Sequence, residues 1–172
     1  MLIGIGIVAV VGLLLFYGNR PSGGGDVPAG RAPAFTLAST GGGSVSLADY
    51  QGKDVLLYFN EGVGCDACFY QMVELEKHGR ELSRAGITVL PVSVNPIDQV
   101  RDALAQFELR TPWLIDADKK VSTAYGTLGT GMHADLPGHS FVLVDGNGEI
   151  RWSQGYPSMF VSTKDLMAAM PS

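Results

Sequence analysis

Short apolar runs, separated by stretches of helical period, organise most of this chain. Val55-Leu-Leu-Tyr-Phe59 is almost unbroken apolar, the pattern of a strand buried on both faces. Ile87 to Val94 (ITVLPVSV) is also strand-like, with an irregularity expected at Pro91, which has no N–H for a ladder. Trp113-Leu-Ile115 predicts a brief strand. Phe141-Val-Leu-Val144, the turn Asp145-Gly-Asn-Gly148 and the run from Glu149 to Gln154 predict a hairpin.

Between these runs the period changes. After Cys65, the residues Phe69, Met72 and Val73 fall on one helical face, charges gather from Glu74 onward, and Gly79 is placed to bend the helix. Asn95-Pro96 predicts a helix start, with Asn as N-cap and Pro at the first helical position. Ile97, Val100, Leu104 and Phe107 make its apolar stripe. Asp116 to Lys119 reads as a turn and Val121 to Tyr125 as a short helix. Ser162 with Asp165 resembles a capping box for a last helix ending near Met170. Strands alternating with helices, then a hairpin and a terminal helix, predict an α/β fold with a mixed central sheet flanked by helices.

The first segment is different. Met1 to Tyr17 carries no charged side chain, which predicts a transmembrane anchor or the apolar part of a secretory signal over residues 1–18. A signal would place its cleavage site around Ser22 to Gly24. Residues 19–32 (NRPSGGGDVPAGRA from Asn19) read as a flexible linker, because Gly lends freedom while Pro21 and Pro28 stop a helix. One globular domain is then expected over 33–172. The expected location is a single-pass attachment to the cytoplasmic membrane with the domain on the extracytoplasmic side, although Arg20 on its own argues for the reverse orientation.

Composition narrows the function. The net charge is −5, and the twelve Lys and Arg form no basic stripe, so nucleic acid is not an expected partner. Only two cysteines occur, as Cys65-Asp66-Ala67-Cys68, which is a site and not a disulfide scaffold. They sit at a predicted strand-to-helix junction. There, free backbone N–H groups stabilise a thiolate at Cys65, and the helix turn brings Cys68 within reach. Cys65 is the expected nucleophile and Cys68 the resolving thiol. Asp66 opposes thiolate formation by like charge, which favours a reductant. A structural disulfide across so short a loop would constrain little of the unfolded chain. A zinc site from Cys65, Cys68, His133 and His139 is the metal alternative, at a spacing far from that of a zinc finger. Glu61, just after the buried strand, is a candidate to exchange the proton that Cys68 must lose.

Pro33-Ala-Phe-Thr-Leu37, Val45 to Tyr50, Gly52-Lys53 with Val55 to Phe59, Thr111 to Asp116, Lys120 to Gly126 and Phe141 to Ile150 form a series of recognisable stretches. Together they resemble the redoxin family, which includes alkyl hydroperoxide reductase/thiol-specific antioxidant proteins and membrane-anchored thioredoxin-like reductases. The resemblance implies a thioredoxin-like fold with an N-terminal extension and covers nearly all of residues 33–172. The peroxidases of the family carry a Pro and a Thr or Ser before the reactive Cys. Before Cys65 those places hold Tyr58 and Gly62; before Cys68 they hold Glu61 and Cys65. The family's catalytic Arg falls at Gly138. The Cys-x-x-Cys spacing matches the reductases, which usually have Trp where this chain has Gly64 and a cis-Pro one residue beyond Pro137. His139 lies beside that region, as a candidate to stabilise a thiolate.

The resulting expectation is a membrane-tethered thiol–disulfide oxidoreductase. It would exchange its Cys65–Cys68 dithiol with a protein disulfide substrate and take electrons from a redox partner, with no prosthetic group or metal. The alternatives are a thiol peroxidase with Cys65 attacked and Cys68 resolving, or a copper chaperone using Cys65, Cys68 and His139.

Overall fold

The computed structural model describes residues 27–171. The expected anchor or signal over 1–18, and the linker as far as residue 26, lie outside the described residues. Among the described residues, no helix is long and apolar enough to cross a membrane.

In chain order the elements are β1 (Gly30–Arg31), β2 (Thr36–Ser39), β3 (Ser44–Ser46), β4 (Asp54–Phe59), α1 (Asp66–Lys77), α2 (Gly79–Arg84), β5 (Ile87–Ser93), α3 (Ile97–Gln106), β6 (Leu114–Ile115), α4 (Lys120–Ala124), β7 (Ser140–Val144), β8 (Glu149–Gly155) and α5 (Thr163–Ala169). One sheet holds all the strands in the order β1-β8-β7-β4-β5-β6-β2-β3. It is mixed: β4 runs parallel to β5 but antiparallel to β7.

β4 is buried on both faces because side chains alternate along a strand and both faces are covered. Leu56 and Tyr58 join Phe69, Met72, Val100, Trp113 and Leu166 on one side. Val55, Leu57 and Phe59 join Val92, Tyr125 and Val142 on the other. The position of α1 is set by Phe69, whose ring stacks on Trp113 at 4.9 Å and on Phe107 at 4.8 Å. Such a ring contributes roughly 1.5–3 kcal/mol by burial alone. That contact holds the first turn of α1, and with it the cysteines, against the sheet.

Several local expectations are corrected. The fold takes up the chain before Pro33: Val27 packs on the core, and β1 pairs with β8 through Gly30 and Arg31. Val73 does not share the buried face of Phe69 and Met72; it is exposed, and Leu75 takes that role. As expected, the helical path bends at Gly79, where a separate α2 begins. Pro91 causes no irregularity: β5 stays in register with β4 throughout, and pairing with β6 starts only at Val92. Asn95 does not cap α3. Pro96 is the non-helical residue before the helix, with ψ 136°, and the Asn95 side chain turns elsewhere.

Candidate active site

Cys65 is the N-cap residue of α1, and its sulfur is bonded to that of Cys68, with Cα atoms 5.4 Å apart. The Cys68 N–H donates to Cys65 Sγ at 3.3 Å. This first-turn donor, and the helix end behind it, favour negative charge on Cys65 once the disulfide opens. The two sulfurs are unequal: Cys65 is 9% exposed and Cys68 0%. Met159 packs on both, with its backbone in the left-handed region at φ 58°.

The loop that delivers Cys65 is held from β5. Asn95 Oδ1 accepts the Val63 N–H at 3.0 Å and the Ser93 hydroxyl at 2.8 Å. Gly62 lies under that carboxamide at φ +72°, where a Cβ would run into Asn95 Oδ1. The requirement for Gly62 was not visible in the sequence, because its neighbour comes from thirty-odd residues away.

Glu61 is 2% exposed and is not a solvated loop carboxylate. Its Oε1 accepts the Met132 N–H at 2.8 Å, and its Oε2 pairs with His133 Nδ1 at 2.9 Å. It therefore ties down the Gly-rich loop that runs from Gly126 to Gly138, and its oxygens are engaged there. The structure does not bring Glu61 into a bond with either sulfur.

His139 is buried, and both its ring nitrogens are taken. Nδ1 lies 3.0 Å from the Tyr58 hydroxyl, and Nε2 lies 3.3 Å from Gln71 Oε1. Burial lowers its pKa to about 4, so it is neutral near neutral pH. It is thus not free to ligate copper with the cysteines. Among the described residues, no group of three or more His, Cys, Asp or Glu side chains is arranged to hold a metal ion. The zinc alternative fails for the same reason, with His133 paired to Glu61. Tyr58, which stands where the family's peroxidases carry Pro, has its hydroxyl 3.2 Å from the Cys68 carbonyl oxygen, and burial raises its pKa well above the usual phenol value.

Two further places named by the resemblance are accounted for. Gly138 has no room for an arginine, since even a Cβ would come within 2.7 Å of the Gly131 backbone nitrogen. Among the described residues every peptide bond is trans, Pro137 included.

A cleft of about 190 Å³ is lined by Met132, His139, Tyr156 and Met159 among others. Met159 links its wall to the sulfurs. A second cleft, of about 210 Å³, lies at the far end of β4 around Leu47, Tyr50, Val55 and Val144, away from the cysteines.

The family model for AhpC/TSA proteins matches residues 28–153. Peroxiredoxin Bcp of Escherichia coli is 30% identical over 123 residues, covering 69% of this chain and 79% of that protein. Peroxiredoxin 2 of Thermoplasma acidophilum is 28% identical over 134 residues, covering 74% and 66%. The chain spans about two thirds of the length of several curated relatives, 65% of one from Mycobacterium tuberculosis that is 33% identical over 102 residues. Among solved structures, the reduced 2-Cys peroxiredoxin of Plasmodium vivax superposes with a TM-score of 0.71 at 23% identity, over 80% of this chain and 76% of the other. AhpC of Mycobacterium tuberculosis gives 0.73 at 18%, over 82% and 89%. These structural likenesses establish a thioredoxin-like fold. Together with the match over most of the domain, the strand-to-helix cysteine pair on that fold places this chain in the AhpC/TSA family.

Proposed function

We propose that the chain is a two-cysteine thiol peroxidase. The observation that carries this reading is the Cys65–Cys68 pair itself, with Cys65 as the N-cap of a helix and the less deeply buried of two buried cysteines, in a family whose relatives are named peroxiredoxins. The order of preference reached from the sequence, with disulfide exchange first, is thereby reversed. The Cys65 thiolate attacks the outer oxygen of a hydroperoxide, the O–O bond breaks, and an alkoxide or hydroxide leaves and is protonated. Cys65 is then a sulfenic acid. The Cys68 sulfur displaces its hydroxyl, which leaves as water, and the disulfide closes. An external dithiol protein returns both thiols.

A second reading, exchange with protein disulfides, is favoured by specific departures from the peroxidase pattern: Tyr58, Gly62 and the closed Gly138 stand where Pro, Thr or Ser, and Arg are expected. The same sulfurs would serve in the same order.

Tethering through residues 1–18 to the cytoplasmic membrane, with the domain outside, is part of the proposal and rests on the apolar run alone. No cofactor enters either reaction.

The deciding experiment uses the reduced full chain. Stoichiometric hydroperoxide should be consumed quickly, with the loss of two thiols and the gain of one intramolecular disulfide by mass. Cys65→Ser should abolish consumption, whereas Cys68→Ser should leave one turnover and a trapped sulfenic acid. Peroxide consumption no faster than that of free cysteine, alongside rapid reduction of an insulin disulfide, would reject the peroxidase reading and leave the exchanger.

A further inference from the structure

Met159 combines a buried apolar side chain with a left-handed backbone, at φ 58°. The other non-glycine residues of positive φ among those described, Glu108 and Lys119, lie beside helix ends and are not buried. Glycine takes this conformation freely, whereas a side chain resists it. The chain nevertheless places a long thioether there, packed against Cys65 and Cys68. We propose that Met159 is the gate over Cys65, and that its side chain sets the bulk of the reagent that the Cys65 sulfur can meet. The proposal rests on Cys65 as the attacking thiol of the reading above.

The backbone around Met159 is pinned from both sides. Its N–H donates to the Tyr156 carbonyl at 2.9 Å, and the Tyr156 N–H donates to the His139 carbonyl, just before β7, at 2.8 Å. Two residues further on, Val161 is held by α1. Its N–H donates to Gln71 Oε1 at 2.8 Å, and its carbonyl accepts Gln71 Nε2 at 3.0 Å. Gln71 is itself fully buried. The strained residue is therefore kept in place by its surroundings. The side chain is freer than the backbone. Methionine is unbranched, with three rotatable bonds, and can change rotamer while its backbone stays still.

The cleft of about 190 Å³ shows what this side chain separates. Met159 lines it with Met132, Tyr156 and Pro157, but neither cysteine does. Met159 is the one residue shared by that lining and the buried cluster around the sulfurs. Rotation of the thioether away from Cys65 joins the cleft to the sulfur. Cys65 is 9% exposed with Met159 in place. A slim reagent then needs a small displacement of the cover, and a bulky one needs it out of the way.

The test uses the reduced full chain carrying Cys68→Ser, so that Cys65 is the single thiol, and it needs no peroxide. Two methanethiosulfonates, one methyl and one benzyl, share a leaving group and differ in bulk. In each, the Cys65 thiolate attacks the sulfenyl sulfur, a new S–S bond forms, and methanesulfinate leaves with the electron pair. The ratio of the two rates cancels any change in the thiolate fraction. Met159→Gly keeps the left-handed turn without strain and removes the cover. The benzyl-to-methyl ratio should rise by about tenfold or more, the discrimination that one pocket contact gives. Met159→Ala should move it in the same direction, so the result does not depend on the glycine variant alone. Met159→Leu keeps the bulk in a stiffer form, and its ratio should stay at or below that of Met159. All are read well below their melting transitions. An unchanged ratio in Met159→Gly and Met159→Ala would overturn the proposal, and so would an equal gain for both reagents, which marks general loosening. A Met159→Leu ratio as high as that of Met159→Gly would overturn it too. If the wild-type chain consumes no hydroperoxide while the thiosulfonate ratios shift as expected, the peroxidase reading falls and the gate stands.

Discussion

Glu61 Oε2 and His133 Nδ1 meet at 2.9 Å, joining a buried carboxylate at the end of β4 to an exposed imidazole on the loop over the cleft. The companion oxygen holds the Met132 N–H at 2.8 Å. Two contacts from one side chain thus decide where the loop lies relative to the cysteines. Glu61→Ala should destabilise the domain by about 1.5–3 kcal/mol, because the hydrogen bonds that Met132 and His133 make to a buried carboxylate are lost. Urea denaturation measures this, and amide exchange at Met132 should quicken by more than the global change explains. A Met132 amide that exchanges as in wild type would show that the loop is held by something else.

Stability should fall on acidification through His139. Its folded pKa is lowered by burial to about 4, below the ordinary 6.5, so the unfolded chain binds a proton that the folded chain refuses. The contribution is fully present above about pH 6.5 and is lost as pH falls toward 4, by up to roughly 3 kcal/mol. Denaturation midpoints between pH 7 and 4 should show this slope. In His139→Asn it should shrink, and an unchanged slope would assign it to other groups.

Asp66 sits in the first turn of α1, directly after Cys65. Its negative charge opposes the thiolate that the helix N-terminus favours. Asp66→Asn should therefore lower the Cys65 pKa and speed alkylation near neutral pH. Thiolate absorbance near 240 nm in the reduced Cys68→Ser background reads this directly; identical titrations would remove the idea.

Gly62 and Gly64 flank the loop before Cys65, and both have positive φ, +72° and +98°. Their surroundings differ. A Cβ on Gly62 would strike Asn95 Oδ1, whereas one on Gly64 meets nothing within 4 Å. Gly64→Ala should cost about 1–2 kcal/mol from backbone strain alone. Gly62→Ala should cost more and also free the Val63 N–H from Asn95. Calorimetry of the two variants gives the order, and equal losses would show that Asn95 yields without cost.

The unequal burial of the sulfurs predicts unequal reactivity. In the reduced protein, iodoacetamide should modify Cys65 well before Cys68, since the former is the less deeply buried, at the helix end, and the latter is fully enclosed. Timed alkylation with peptide mass analysis checks this, and preferential labelling of Cys68 would reverse the assigned roles.

Much of this molecule was legible in its sequence because the relevant physics is local. Val55 to Phe59 declared a strand buried on both faces, and the Asp145-Gly-Asn-Gly148 turn declared the β7–β8 hairpin. Ser162 does cap the last helix, accepting the Asp165 N–H at 3.1 Å. The cysteine pair was placed at the start of α1 by the change of period after Cys65. Each of these depends on residues a few places apart.

What only the tertiary structure decided depends on distant partners. Asn95 looked like a helix cap, but the deep position of Gly62 gave its carboxamide a better use in holding Val63, and Pro96 needs no donor to begin the helix. Glu61 looked like a proton carrier, but the loop around Met132 folds over it and takes both oxygens. Tyr58 looked like packing alone, and only the approach of β7 and α1 to β4 sets its hydroxyl between His139 and Cys68. The sequence by itself determined the fold class, the close-set cysteine pair and the polarity of the helix beneath it, because period and spacing suffice for these. The tertiary structure decided the partners of the polar side chains around that pair, because a buried donor or acceptor takes whichever partner the packing of remote elements brings within 3 Å or so.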